Sequence, residues 1–164
     1  MTTGLLMALF GIISLSGCGS GGGDGVTQPT TAVLKISTQG TLPSGTQIGG
    51  IDITIALPTG VTVKSVTSPP ETDSGVVVTS GVAVANSTVL STYTAATSAS
   101  AGNVRVLLAI SNGFGMGEFM TIYCDIASGS TPAASDFSLT GFAAKDLNGV
   151  LISGLNSAFT AAFQ

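Results

Sequence analysis

Two apolar runs with alternating faces, separated by a glycine-rich turn, make up the region from Asn103 to Ile126. One face of the first run carries only aliphatic side chains: Val104, Val106, Leu108 and Ile110. The matching face of the second run is also apolar: Met120, Ile122, Cys124 and Ile126. Alternation with a period of two residues is typical of a β-strand that buries one face. The pattern predicts two core strands, and the short turn between them favours a β-hairpin within one sheet.

Short β-branched runs separated by proline, glycine or asparagine continue along the rest of the chain. The further predicted strands are 32–37, 51–57, 61–66, 76–79, 82–85, 89–93, 137–144 and 150–163. Pro58-Thr59-Gly60 and Asp146-Leu147-Asn148-Gly149 are predicted to be turns. No segment combines a helical apolar stripe with end caps, and residues 95–101 are predicted to be a loop. This spacing predicts an all-β protein, a two-sheet jelly-roll sandwich of about nine strands.

The charge of the chain is small and evenly spread. Charged residues make up 7% of the sequence, against about 25% in an average soluble protein. Four basic and eight acidic residues give a net charge of -4, and Lys and Arg do not cluster anywhere. Binding to nucleic acid or to an anionic lipid surface needs a basic patch, so neither is expected.

The N-terminus contains a short apolar segment, residues 4–15, which is shorter than the ~20 residues that cross a bilayer. It ends in Leu15-Ser16-Gly17-Cys18, which resembles the lipobox of bacterial lipoproteins. The resemblance implies a signal peptide over 1–17 and a diacylglyceryl thioether on Cys18. The first four residues lack the usual Lys or Arg of a signal peptide. An ordinary secretory signal with an unrelated cysteine is the alternative.

Residues 18–31 follow as the predicted acylated cysteine and its tether. Glycine dominates the tether and apolar residues are scarce, so it is expected to be a flexible linker. Such a chain spans on the order of 20 Å. The folded domain is predicted to occupy residues 32–164. A lipid on Cys18 would hold this domain at the bacterial cell envelope.

The residue types that carry catalysis are scarce in this chain. It contains no histidine, the usual general base and the commonest metal ligand. The candidate carboxylates for a glycosidase are scattered singly among the predicted strands and turns, without the pairing that such an enzyme needs: Asp52, Glu118, Asp125, Asp136 and Asp146. We therefore expect a non-enzymatic protein without a metal or other cofactor.

Two further motifs are interpreted as structural. The Asp146 turn begins like a calcium loop, but Val150 and Leu151 stand where further ligands and glycine would be needed. Cys124 shares the apolar face of its strand, so it is expected to be a buried hydrophobic residue. If Cys18 carries the lipid, no cysteine pair remains to form a disulfide.

Three segments together resemble the cohesin-type domains. They are an extended run with a Pro-x-Gly turn (51–63), a G-x-G-E-F-x-x-I strand (115–122) and an F-x-x-x-G-F-x-A-x-D-x-N-G-x-x-I segment (137–152). The resemblance covers roughly residues 32–163. It implies a nine-stranded jelly-roll sandwich related to some carbohydrate-binding modules, and a protein partner of the dockerin type. The positions of the dockerin contacts cannot be carried over to this sequence.

A hairpin over 103–126 would place the polar faces of its two strands side by side. The predicted binding surface is then Arg105, Leu107, Thr121, Tyr123 and Asp125. Tyrosine and arginine are enriched in binding hot spots. A loop or another strand covering this face is the alternative.

These observations favour a non-catalytic interaction module that binds a dockerin-like or other envelope protein. The first alternative is a carbohydrate-binding module that recognises an extracellular polysaccharide. The absence of tryptophan and the presence of only two tyrosines do not favour it. The second alternative is a structural surface protein that self-assembles through its strand edges.

The lipobox makes a direct prediction. Cells that express the wild-type chain should incorporate a fatty-acid analogue into it and retain it in the membrane fraction. The Cys18→Ala variant should lose the label because the thioether requires the cysteine sulfur. Equal labelling of both proteins would show that the lipobox is not used.

Overall fold

The computed structural model describes residues 27–65 and 71–164. The predicted signal peptide, the lipidation site at Cys18 and the tether up to residue 26 lie outside the described residues. The described chain is all-β, with nine strands and two 3-10 helices of three residues each. In this part of the chain, no helix is long and apolar enough to span a membrane.

The nine strands form two antiparallel sheets. Their bounds are β1 Thr31–Gly40, β2 Ile48–Leu57, β3 Val61–Thr62, β4 Val77–Thr79, β5 Ser87–Thr94, β6 Gly102–Phe114, β7 Glu118–Ile126, β8 Ser138–Asp146 and β9 Leu155–Phe163. The five-stranded sheet has the order β3-β7-β1-β9, with β4 also paired to β7. The four-stranded sheet has the order β5-β6-β2-β8. The predicted two-sheet jelly-roll sandwich is confirmed.

The hydrophobic core lies between the two sheets and is built from alternate residues of each strand. From Ile51 to Leu57 in β2 and from Gly102 to Ile110 in β6, every second residue points inward and is buried. The aliphatic faces predicted for β6 and β7 are both in this core: Val104, Val106, Leu108, Ile110, Met120, Ile122, Cys124 and Ile126. The buried residues form one cluster that extends from Ala32 to Leu155. The described domain therefore has a complete core of its own.

The predicted hairpin between β6 and β7 is wrong. β6 pairs with β2 and β5 in the four-stranded sheet, whereas β7 pairs with β1, β3 and β4 in the five-stranded sheet. The short segment Gly115–Gly117 thus crosses from one sheet to the other. Alternation predicts which face of a strand is buried, but it does not specify the neighbouring strand.

This crossing is held by Thr38, a buried residue of β1. Its hydroxyl oxygen accepts a hydrogen bond from the Gly117 amide at 2.9 Å and donates one to the Gly117 carbonyl at 3.3 Å. The Thr38 amide donates to the same carbonyl at 3.0 Å. Gly117 has a φ of +141°, a conformation that glycine adopts readily.

Other predicted strand boundaries change where glycine interrupts the extended backbone. The predicted strand 82–85 is replaced by the 3-10 helix Gly81–Ala83, in which Gly81 has a φ of +54°. Of the predicted strand 61–66, the described residues 61–65 contain only β3, and residue 66 lies outside the described residues. The predicted strand 150–163 begins only at Leu155, after Gly154 at a φ of +82°.

Both predicted turns are confirmed. The Val61 amide donates to the Pro58 carbonyl at 3.1 Å and closes the first turn. In the second turn, the Gly149 amide donates to the Asp146 carbonyl at 3.0 Å. The predicted loop over residues 95–101 also contains no strand or helix.

The folded domain begins earlier than residue 32. The Gln28 side-chain amide donates to the Ser130 carbonyl at 2.9 Å, and the Thr30 amide donates to the Gln164 carbonyl at 2.7 Å. Thr31 is already the first residue of β1. Residues 28–31 are therefore bound to the domain, although the sequence predicted them to be part of the tether.

The Thr38 contact predicts a specific loss of stability. Thr38→Val keeps the shape of the side chain but leaves the Gly117 amide without its acceptor. We expect the free energy of unfolding to fall by about 1–3 kcal/mol, measured by urea denaturation. Thr38→Ser retains the hydroxyl and should lose less. Equal losses in the two variants would mean that the hydroxyl does not stabilise the crossing.

Candidate binding face

The five residues of the predicted binding surface do not share one face. Arg105 and Leu107 lie on the outer face of the four-stranded sheet, because β6 belongs to that sheet. Tyr123 and Asp125 lie on the outer face of the five-stranded sheet with β7. The prediction of a single surface is therefore wrong, and its two halves lie on opposite sides of the sandwich.

Thr121 differs from the other four because it is only 5% exposed. Its hydroxyl donates to the Ser80 hydroxyl at 3.1 Å, and β4 pairs alongside at Val78. Tyr123 is 49% exposed and borders a shallow depression of about 210 Å³. This depression is also lined by Lys64, Asp73 and Asp125. The five-stranded sheet thus offers one exposed aromatic ring in a polar setting.

The outer face of the four-stranded sheet is organised in cross-strand rows. Given in the order β5, β6, β2 and β8, three rows are Thr88-Ala109-Gly50-Lys145, Leu90-Leu107-Asp52-Ala143 and Thr92-Arg105-Thr54-Thr140. We call these twelve positions the four-stranded face.

An aliphatic pair lies at the centre of this face. Leu90 and Leu107 are directly opposite each other on β5 and β6, and they are 64% and 41% exposed. The next row places Ala109 and Gly50 beside them, where the side chains are small or absent. A depression of about 370 Å³ lies at this point, lined by both leucines and by these small residues. A partner could bury aliphatic surface here and approach the backbone closely.

An ion pair borders the aliphatic pair. The Arg105 guanidinium donates from Nε to Asp52 Oδ1 at 3.1 Å and from Nη2 to Oδ2 at 2.8 Å. These hydrogen bonds from Arg105 hold the pKa of the Asp52 carboxyl below its ordinary range, and the charge of Lys145 adds to the effect. Both side chains remain partly exposed, so the pair contributes little to stability. Its clearer effect is to fix Arg105 beside the leucines.

An apolar centre with a polar rim is typical of a protein-binding surface. No aromatic ring is present among the twelve positions, so the four-stranded face lacks the stacking platform that sugars usually require. Within the described residues, no three His, Cys, Asp or Glu side chains form a group able to hold a metal.

The Asp146 carboxylate accepts hydrogen bonds from the backbone of its own turn. Oδ1 of Asp146 accepts hydrogen bonds from the Asn148 amide at 2.9 Å and the Val150 amide at 2.8 Å. This is the behaviour of a turn-stabilising aspartate. It agrees with the interpretation of this motif as a turn.

The Cys124 thiol is buried, as its position on the apolar face predicted. Burial raises the pKa of this thiol to about 12. Because the thiolate is the nucleophilic form, Cys124 is a packing residue and not a reactive group.

Sequence reasoning found Arg105 and Leu107 but missed Leu90, Gly50 and Lys145. Leu90 follows Val89 in the chain, so one of the two had to face outward, and this was the available signal. Nothing in the sequence indicated that β5 and β2 flank β6. The rows of the face follow from that pairing.

The ion pair predicts a measurable pKa change. The pKa of Asp52, followed by NMR, should lie below its ordinary value near 3.9 and rise towards it in Arg105→Gln. A folded pKa that is lowered stabilises the fold above the unfolded pKa, and this stabilisation is lost as the pH falls through the folded pKa. The stability difference between wild type and variant should therefore disappear in acid. Lys145→Gln is the control and should change the pKa less. An equal change in both variants would contradict the assignment to Arg105.

No protein-family model and no curated protein matches the chain. Among solved structures, the chain is similar to a non-cellulosomal cohesin from the hyperthermophilic archaeon Archaeoglobus fulgidus. The TM-score is 0.49 and the sequence identity is 15%, over 77% of this chain and 75% of that chain. At this identity, no binding residue of that protein can be transferred to this one.

Proposed function

We propose that this domain is a non-catalytic protein-binding module that uses the four-stranded face. The observation that carries the proposal is the exposed Leu90–Leu107 pair at the centre of that face. Fully burying a leucine side chain contributes about 1.5–3 kcal/mol. Two adjacent leucines over a shallow depression thus provide an anchor of the kind found at the centre of protein interfaces.

The surroundings of the pair support a specific partner over unspecific hydrophobic association. Arg105, fixed by Asp52, lies in the row on one side of the leucines, and Lys145 lies in the row on the other side, so both belong to a polar rim. After Asp52 and Arg105 neutralise each other, Lys145 gives the rim a positive charge. A partner surface with an aliphatic projection and an acidic group nearby would complement it.

The sequence resemblance to cohesin-type domains favours a partner of the dockerin type. It is the order and spacing of the three resembling segments that support this choice. A carbohydrate-binding function has less support, because the four-stranded face contains no aromatic side chain.

The domain is further proposed to be held at the bacterial cell envelope by a lipid on Cys18. The lipobox-like sequence supports this localisation. The first described residues and the C-terminus lie together at one end of the strands, joined by the hydrogen bond from the Thr30 amide to Gln164. A tether attached at this end would orient the strands away from the membrane. The four-stranded face would then point along the membrane surface, where a partner anchored to the same membrane could reach it.

The test compares variants of the two outer faces. Leu90→Ser with Leu107→Ser removes the aliphatic pair, and Tyr123→Ser is the matched control on the opposite face. Each protein, comprising residues 27–164, is immobilised and exposed to a native envelope extract and to a polysaccharide array. A protein bound by wild type should be purified and its affinity measured against each variant. We expect the double variant to lose affinity at least about tenfold and the control to be unchanged.

Both variants should keep the circular dichroism spectrum of wild type, since the substituted side chains lie outside the core. Loss of binding in the Tyr123 variant alone would move the site to the five-stranded sheet. Binding of a polysaccharide that the double variant abolishes would favour the carbohydrate-binding alternative.

A further inference from the structure

The outer edge of β9 carries backbone groups that have no partner within the described residues. β9 pairs with β1 along its whole length. The Gln164 amide and carbonyl both bond to Thr31, so alternate residues from there point to β1. The backbone amides and carbonyls of the residues between them point away from β1, towards the open edge of the sheet: Leu155, Ser157, Phe159, Ala161 and Phe163. Because β9 is the last strand of its sheet and pairs only with β1, these amides and carbonyls have no backbone partner in the described part of the chain.

The other strand edges are each covered at least in part by a described segment. β3 and β4 lie along the free side of β7. The Thr72 amide donates to the Ser91 carbonyl of β5 at 3.1 Å, and the hydroxyls of the same two residues are in contact. Along β8, the Ile152 amide donates to the Ala144 carbonyl at 2.8 Å. The pairing of β8 with β2 is also irregular between Thr140 and Ala143, where its register shifts. Among the described strands, β9 is a long, regular edge that receives no such contact.

The sequence of β9 contains none of the usual protection of an edge strand. Its residues are L-N-S-A-F-T-A-A-F, without a charge, a proline or a glycine. Natural edge strands commonly carry lysine, proline or a bulge to prevent pairing with another chain. The absence of all three leaves β9 able to accept a further strand.

An incompletely covered aromatic cluster lies along the same edge. The Phe137 ring is 6.3 Å from the Phe159 ring and 6.4 Å from the Phe163 ring, measured between centroids. Phe137 is buried, but Phe159 and Phe163 are only partly buried. Phe142 of β8 is also partly buried against the core. A strand added beside β9 would cover the remaining surface of these rings.

We propose that a second copy of this chain is the added strand, with β9 pairing antiparallel to its counterpart about a two-fold axis at Phe159. Phe159 then faces the same residue of the partner, Leu155 faces Phe163, and Ser157 faces Ala161. In each strand, five residues have backbone groups at the open edge, and each of the five pairs exchanges two bonds, which gives about ten backbone hydrogen bonds. Because β9 is uncharged, this pairing places no like charges opposite each other.

The two-fold symmetry limits this pairing to a dimer, because the same β9 edge is used by both copies. The four-stranded face is on the other sheet and stays free in both copies. The dimer would therefore present two binding faces. Partners that are tethered to one another could bind both faces at once. The dimer does not depend on the proposed function, because the two surfaces share no residue.

Residues 27–164 suit the experiment because they contain the complete core. Sedimentation equilibrium up to roughly 1 mM protein should give twice the chain mass for wild type. Ala161→Pro removes an outward amide and leaves the β1–β9 hydrogen bonds intact, as proline is tolerated at a strand edge. We expect its dimer dissociation constant to rise at least about tenfold. Ala161→Ser keeps the amide and serves as the matched control, with no such change expected.

Hydrogen exchange provides a second measurement that needs no variant. The amides of Phe159 and Ala161 in wild type should exchange more slowly as the protein concentration rises. This result would support the dimer even if circular dichroism showed that Ala161→Pro fails to fold. A monomer at every concentration, a dimer unaffected by folded Ala161→Pro, or concentration-independent exchange of these amides would overturn the proposal.

Discussion

The chain changes sheet between Phe114 and Glu118, and this crossing determines which outward-facing side chains become neighbours. The hydroxyl of Thr38 binds the amide and the carbonyl of Gly117, so the crossing is attached to β1 at the point where β7 begins. A buried polar group that lost these bonds would cost more than an exposed one. With the crossing held in this way, β6 enters the four-stranded sheet and β7 the five-stranded sheet. Leu107 and Tyr123 therefore lie on opposite sides of the molecule.

The same strands provide the core with their inward residues and the four-stranded face with their outward residues. In β2, the inward residues Ile51, Ile53 and Ile55 are fixed by packing between the sheets. The alternate residues Gly50 and Asp52 are free of that requirement and face outward. Because core packing supplies most of the stability, these outward positions can be small or charged at little cost. The depression beside Leu90 and Leu107 exists because Gly50 and Ala109 leave space there.

The scarcity of charged residues limits how the strand edges are protected against pairing with another chain. With 7% charged residues, the chain has few lysines to place on edge strands, and it uses pairing with neighbouring segments instead. Thr72 covers part of β5, and Ile152 covers part of β8. In the described residues, β9 receives no such cover. An edge that is neutral, regular and flanked by half-buried phenylalanines is suited to pairing with an identical strand.

The amino-acid sequence by itself determined the all-β class, the inward faces of β6 and β7, and the turns at Pro58 and Asp146. These properties depend on alternation and on local turn chemistry, which act between residues close together in the chain. It also identified Arg105 and Leu107 as outward-facing. The tertiary structure alone decided that Leu90 lies beside Leu107, that Asp52 holds Arg105, and that Tyr123 faces away from all of them. Those relations depend on which strands pair, and pairing is set by contacts between residues far apart in the sequence, which a single strand's pattern does not encode.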